Sequence, residues 1–343
     1  MKKRNINIDL IKCIAVFSVL SVHFFKNTDF YNRTITNNLY IGVFFRTLFM
    51  ICVPLFLITT GYLMKNKELN KKYYFGISRV LIIYLLNALM YIGYNILYLK
   101  EPVSIKFIAS SILNFSTGYS WYVEMYIGLF LMIPFINLIY NNLKNKKEKQ
   151  FLILTMLTLT SFQGIFNIKY PIIQDWWVQI YPITYYFIGC YLREYKINIE
   201  KYKNILLFIL CLILSTLINI FVSKGNIFVW GTHNNWGSIF NILTSSLTFI
   251  FILNLNLEKL NTNIKNIITT ISELSLGIYL TSAIVDNFLY LHCFKNINLL
   301  NVQGYFKIVP LVFILSTFLS LIINFLYKII DKFVIIKIKN KIL

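Results

Sequence analysis

The sequence predicts an all-α, polytopic membrane protein with about ten transmembrane helices and both termini in the cytoplasm. Three observations carry this prediction. The 343 residues are 57% hydrophobic and 17% aromatic but only 13% charged, whereas soluble domains average about a quarter charged residues. The apolar residues gather into stretches able to cross a hydrocarbon core of about 30 Å, and mean hydropathy is +0.65. Finally, the basic residues concentrate in alternate connecting segments, the positive-inside pattern.

In chain order the stretches are 8–27, 39–64, 73–99, 119–140, 150–166, 180–193, 203–223, 238–256, 267–291 and 306–330. The second, third and ninth exceed the minimum span and have room to tilt or kink; the sixth is short. With a cytoplasmic N-terminus, the inner segments hold Lys2, Lys3 and Arg4, then Lys65, Lys67, Lys71, Lys72 and Arg79. Lys144, Lys146, Lys147 and Lys149 follow, then Arg193, Lys196, Lys201, Lys203, Lys259 and Lys265. Lys328, Lys332, Lys337, Lys339 and Lys341 close the set, which holds most of the 33 basic residues. The outer segments keep mainly Lys26, Arg33, Lys100, Lys106, Lys169, Lys224, Lys295 and Lys307. The net charge of +20 is therefore a topology signal with some attraction to anionic lipid, and no nucleic-acid partner is expected.

The first stretch does not read as a cleaved signal peptide: Asp9 and Lys12 interrupt it and no small-x-small cleavage site follows. A single transmembrane domain over residues 1–343, without a separate soluble domain, is expected. Cys13, Cys52, Cys190 and Cys211 fall in spans and only Cys293 lies near the outside, so no disulfide framework is implied. No zinc spacing, phosphate-binding glycine loop or nucleophile elbow occurs. No clear internal repeat is visible, which weighs against inverted-repeat transporters.

The chemistry-bearing residues start on the first span. His23 follows Lys12 by eleven residues and Asp9 precedes the lysine by one turn, so a helix puts all three on one face. Lys12 and His23 then lie about 16 Å apart along the axis. Ionisable groups inside a span are costly and usually face a wet or protein-lined interior. Near the outer end of the fourth span, Trp121, Glu124 and Met125 share a face, beside Tyr122. A carboxylate beside His23 would raise its basicity and orient the ring as a general base, and Glu124 sits at the matching depth. Asp286 ends the ninth span on the outer side, and Asp175-Trp176-Trp177 precedes the sixth. Arg79 opens the third span on the same side as Lys12, complementary to a bulky cytosolic anion such as coenzyme A phosphates. Each has a structural reading too: an interhelical hydrogen bond for His23, an interfacial position for Glu124, an aromatic belt for Trp121, Tyr122, Trp176 and Trp177, a snorkelling anchor for Arg79. His233 and His292 fall in outer loops and are expected to be solvated.

These residues resemble a known family. Asp9 through Lys12 to His23 is similar to the opening of the acyltransferase 3 membrane proteins, a basic residue followed after ten positions by histidine. Val53-Pro54-Leu55-Phe56-Leu57-Ile58-Thr59-Thr60-Gly61-Tyr62-Leu63 resembles their "VPLFF-x-x-SGYL" stretch. Trp121-Tyr122 through Ile127-Gly128-Leu129 to Pro134 looks like their fourth span, and Ser275-Leu276-Gly277-Ile278-Tyr279-Leu280 like their "S-x-G-IYL" segment. The matches run in order over residues 4 to about 285.

The resemblance implies an integral membrane O-acyltransferase of the bacterial inner membrane. It would take an acyl group, usually acetyl, from cytosolic acyl-CoA to a hydroxyl of a cell-surface or lipid-linked glycan. Acetyl-CoA is then a co-substrate, with no permanently bound cofactor and no metal. By the resemblance His23 is the essential histidine, Lys12 its basic partner towards the donor side, and Arg79 the last arginine of a cytoplasmic R-x-x-R element. The reading of the residues adds Glu124 beside His23, Asp9 with Lys12 on the donor side, and Trp121 and Tyr122 against the sugar. The chain departs from the family pattern in three places. Lys12 stands for an arginine and lacks its fork. Gly76 replaces the first arginine of R-x-x-R, leaving Lys71 or Lys72 to compensate. Thr281-Ser282 follows "IYL" where many relatives carry histidine. Direct transfer and an acyl-histidine intermediate both fit. Two other readings share the same polar face: a transporter, for example of serine, and a non-catalytic component of a polysaccharide-export system. The Ile-, Asn- and Lys-rich composition fits an AT-rich bacterial genome.

Overall fold

A computed structural model describes residues 4–102, 104–113, 120–163, 172–294 and 300–336. Lys2, Lys3, Tyr119, Lys169, Lys295, Lys337, Lys339 and Lys341 lie outside the described residues, as do positions 164–166 of the fifth stretch. Among the described residues the α-helices are α1 (Ile6–Asn27), α2 (Tyr40–Phe49), α3 (Cys52–Met64), α4 (Lys71–Phe75), α5 (Ser78–Leu97), α6 (Ile105–Leu113) and α7 (Trp121–Asn142). They continue with α8 (Lys146–Thr160), α9 (Tyr181–Glu194), α10 (Lys201–Ser223), α11 (Ile239–Leu253), α12 (Thr262–Asp286) and α13 (Val302–Ile330). Among the described residues there is no strand, only an isolated parallel bridge between Ile35 and Lys224.

Among the described residues, seven helical stretches are long and apolar enough to cross a membrane: Ile6–Asn27, Asn37–Met64, Lys71–Leu97, Trp121–Asn142, Lys201–Ser223, Thr262–Cys293 and Val302–Phe333. The all-α, multi-pass class is therefore observed. Helices α8, α9 and α11 occupy the fifth, sixth and eighth predicted stretches, but have only 15, 14 and 15 residues. Those lengths fall short of the roughly 20 residues a full span needs.

The chain divides into two compact units: Met1–Asn66 with Ile136–Ser272 and Asn298–Phe306, and Lys67–Phe135 with Glu273–Ile297 and Lys307–Leu343. In the first, α3 and α9 form the most extensive helix pairing. Its cause is the glycine pair Gly61 and Gly189. A Cβ on Gly61 would run into the Tyr186 carbonyl, and one on Gly189 into the Ile58 carbonyl. Where lipid removes the hydrophobic drive between helices, such close backbone approach supplies the van der Waals contact that holds them. Polar ties finish the seam. The Tyr186 hydroxyl donates to Asn137 Oδ1 at 2.8 Å, and Asn137 Nδ2 donates to the Met64 carbonyl at 2.9 Å. At the end of this seam, Glu194 receives Lys149 at 2.7 Å and Lys65 at 3.0 Å.

The second unit repeats the device between α12 and α13. A Cβ on Gly277 would collide with the Ser320 hydroxyl, which itself donates to the Leu274 carbonyl at 3.1 Å. One turn on, Thr281 Oγ1 donates to the Ser316 carbonyl at 3.0 Å.

Candidate functional site

Helix α1 is unbroken, so Asp9, Lys12 and His23 do stand on one rod. Asn5 starts it by accepting from the Asn7 amide at 3.0 Å, and Thr28 ends it by donating to the Phe24 carbonyl at 2.7 Å. Asn7 Nδ2 anchors this end by donating to the Ile252 and Leu255 carbonyls at 2.7 and 2.8 Å. Asp9 is buried, and its carboxylate is enclosed. Arg4 donates to it twice, at 2.6 and 3.0 Å, and Ser272 Oγ donates at 2.6 Å. A carboxylate in the first turn also suits the positive end of the helix dipole. Next to it lies an open cleft of about 490 Å³ lined by Arg4, Asn5, Ile6, Asn7, Glu258 and Lys265.

Lys12 and His23 are both half-buried. The next residue, Phe24, meets Tyr305 edge-on at 5.4 Å, and Tyr305 stacks on Phe45 and Phe49 at 5.7 and 5.6 Å. The Tyr305 hydroxyl pairs with Ser21 Oγ at 2.8 Å. Trp176 and Trp177, in the 3-10 turn Asp175–Ile180 of the same unit, are exposed.

In the second unit, α7 opens at Trp121 and carries Glu124, exposed, in its first turn. Trp121 and Tyr122 meet edge-on at 6.2 Å, and Tyr122 begins an i, i+4 ladder through Tyr126 to Phe130. Phe130 stacks on Tyr73 at 4.4 Å, while Tyr122 also meets Tyr279 at 6.2 Å. The structure thus brings Trp121, Tyr122 and the tyrosine of the "IYL" segment together. Arg79 is exposed; it donates to the Glu273 carbonyl at 3.4 Å and lies 5.5 Å from the Tyr327 ring centre. Lys71 and Lys72 are exposed on α4. Asp286 is buried at the end of α12, where the coil widens into a π-helix over Asn287–Cys293. Among the described residues no group of three or more His, Cys, Asp or Glu is placed to hold a metal ion.

The family model of the acyltransferase 3 proteins, described as an acyltransferase domain, matches residues 5–327. The chain belongs to the acyltransferase 3 family. None of the curated proteins and none of the solved structures compared matches it.

For an acyltransferase 3 chain, several motif residues turn out to be architectural. Gly61 of "TTGYL" and Gly277 of "S-x-G-IYL" are the close-approach points of two helix pairs. The Thr281-Ser282 pair is fully buried, with Thr281 bonded across to α13 and Ser282 Oγ donating to the Tyr279 carbonyl at 2.7 Å. At this position the chain carries core hydroxyls and no imidazole.

Two functional candidates escaped the sequence reading. Arg46, inside the apolar run 39–64, is only 1% exposed. The signal that singled out Lys12, an ionisable residue inside a span, applies to it equally. His233, expected to be solvated, is instead half-buried and pairs with Asn234 Nδ2 at 3.1 Å. Burial and then the Arg46 charge hold its imidazole below the ordinary value. His292 is exposed, as expected.

Proposed function

We propose that this chain is a ten-helix O-acyltransferase of the bacterial inner membrane, with both termini in the cytoplasm. It moves an acyl group, most simply acetyl, from cytosolic acyl-CoA to a hydroxyl of a cell-surface or lipid-linked glycan. The observation that carries the reading is the unbroken α1 of an acyltransferase 3 member, with a cation at one depth and an imidazole eleven residues on.

Lys12 and Arg79 hold coenzyme A phosphates in this scheme. Asp9 serves the donor side by fixing Arg4 at the rim of its cleft, where Lys265 adds a second cation. His23, polarised by Glu124, takes the proton of the acceptor hydroxyl as its oxygen attacks the thioester carbonyl. The tetrahedral intermediate collapses with cleavage of the C–S bond, and the departing thiolate takes the proton from His23. An acyl-histidine intermediate would divide the same balance into two steps. Trp121 and Tyr122, gathered with Tyr279, offer ring faces to the sugar.

The test is transfer or hydrolysis of radiolabelled acetyl-CoA by the purified protein in detergent, beside His23→Ala at matched abundance. The variant is expected to lose activity by about 10²-fold or more. Full activity in His23→Ala removes the histidine from the mechanism. Uptake of an amino acid into proteoliposomes without any acyl donor would move the assignment to transport.

A further inference from the structure

Arg46 is a buried charge that the proposed acyl transfer does not use. Its guanidinium lies 4.7 Å from the Phe228 ring centre and 4.5 Å from that of Trp230. Nε donates to the Tyr31 hydroxyl at 3.5 Å and Nη1 to the Asn234 carbonyl at 3.4 Å, both long bonds. Nη2 has no hydrogen-bond partner. A guanidinium carries five N–H donors in a rigid fork, and two weak bonds leave most of that fork open. Among the described residues no carboxylate pairs with it. Burying a charge without a counter-ion is among the most costly arrangements a fold can keep.

The neighbouring polar groups do not relieve it, because they are engaged with one another. Asn219 Nδ2 donates to Thr47 Oγ1 at 3.1 Å, and Asn219 Oδ1 accepts from Asn234 Nδ2 at 2.8 Å. Asn234 Nδ2 also reaches the Val229 carbonyl at 3.0 Å, and its Oδ1 receives the Gly231 amide at 3.0 Å. This network pins the loop between α10 and α11 over the guanidinium while leaving Nη2 bare. The covering residues are the accessible ones: Trp230 is 54% exposed and His233 half-buried. Aromatic faces flank the cation, a buried fork lies beneath, and a titratable imidazole sits at the rim.

We propose that Arg46 is the floor of an oxyanion site, which takes a phosphate ester or carboxylate of the extracytoplasmic acceptor, with His233 at its rim and Trp230 as its cover. The planar fork matches both groups bidentately. The inference rests on the proposed orientation and acyl-transfer reading for calling the ligand an acceptor; the anion chemistry itself comes from the side chains. It narrows the acceptor to an acidic one. The same chemistry has a second source, the headgroup of an anionic phospholipid.

The test needs no acyl donor, so its failure is separable from failure of the acyltransferase reading. Thermal unfolding and tryptophan fluorescence of the purified protein are followed while phosphate or glucuronate replaces chloride at constant ionic strength, with glucose as the neutral control. The expected result is a saturable rise in melting temperature of a few degrees with at least one oxyanion and none with glucose. Arg46→Met should abolish the rise, Arg46→Lys should weaken apparent affinity about tenfold, and Trp230→Phe should remove the fluorescence change. Saturable stabilisation in phosphatidylglycerol nanodiscs over phosphatidylcholine ones, lost in Arg46→Lys, with no response to soluble anions, supports the site and assigns it to lipid. No saturable response of the wild-type protein in any arm overturns the proposal, whether or not Arg46→Met folds. So does an undiminished response in Arg46→Met or Arg46→Lys.

Discussion

Asp9 and Arg46 are ionised residues buried in the same compact unit, 4% and 1% exposed, and their surroundings are opposites. Asp9 has its charge matched by Arg4 and a further bond from Ser272. Arg46 has two long bonds to neutral oxygens, two aromatic faces and an open nitrogen. The first is what a charge looks like when its work is to fix a helix end. The second is a charge with no carboxylate paired to it among the described residues. Burial alone does not separate structural from functional ions; completeness of the partner shell does.

The upper end of the scale comes from packing, where no ion is involved. Gly61→Leu should leave no folded protein, because even a Cβ has no room beside the Tyr186 carbonyl. Detergent-stable, monodisperse Gly61→Leu would show that the α3–α9 seam is looser than described. Below that, Arg4→Ala should destabilise by about 3 kcal/mol or more, since it strands a buried carboxylate. Removing Asp9 instead should cost less, because the Arg4 side chain is 45% exposed and can turn to water. The asymmetry between the two variants, read as unfolding midpoints in one detergent, is the signature of a closed structural pair. Ser272→Ala comes next, at about 1.5–3 kcal/mol for one hydrogen bond to a charged group. Arg46→Met should change stability in the absence of anions by no more than about 1 kcal/mol, or raise it, since an apolar replacement removes an uncompensated charge. A loss as large as that of Arg4→Ala would erase the contrast.

Much of the fold was legible because the bilayer imposes a period and a length. Among the described residues seven long helical stretches coincide with predicted ones, and Asp9, Lys12 and His23 share an unbroken helix as their spacing requires. The short helices α8, α9 and α11 were harder, because an apolar stretch does not reveal where loops and turns will trim it. Glycines quoted as motif letters gained a reason only from the partner helix: nothing local says that Gly61 faces Gly189, or Gly277 faces Ser320. The arrangement around Arg46 was invisible for the same reason. Its shell comes from Tyr31, Phe228, Trp230 and Asn234, up to 188 positions away, and no spacing rule joins them. The shell of Asp9 shows both limits: Arg4 is five residues off, but Ser272 is 263 away.

The smallest expected effect is also the one that tests whether the open shell is electrically felt. His233 is held below its ordinary value of about 6.5, by burial and then by the positive charge of Arg46. A histidine whose folded value is depressed binds its proton less readily in the folded than in the unfolded state. Its contribution to stability is therefore intact above the unfolded value and declines as pH falls below it. Unfolding midpoints measured from pH 7.5 down to 5 should fall more steeply for the wild-type protein than for His233→Gln. Arg46→Met should flatten the slope in part, since it removes the charge but not the burial. Saturating phosphate should flatten it as well, because an anion on the guanidinium cancels the repulsion and favours the imidazolium. If phosphate leaves the slope untouched while Arg46→Met reduces it, the guanidinium is felt by His233 but not reached by the anion, and the contrast between Asp9 and Arg46 is one of packing alone.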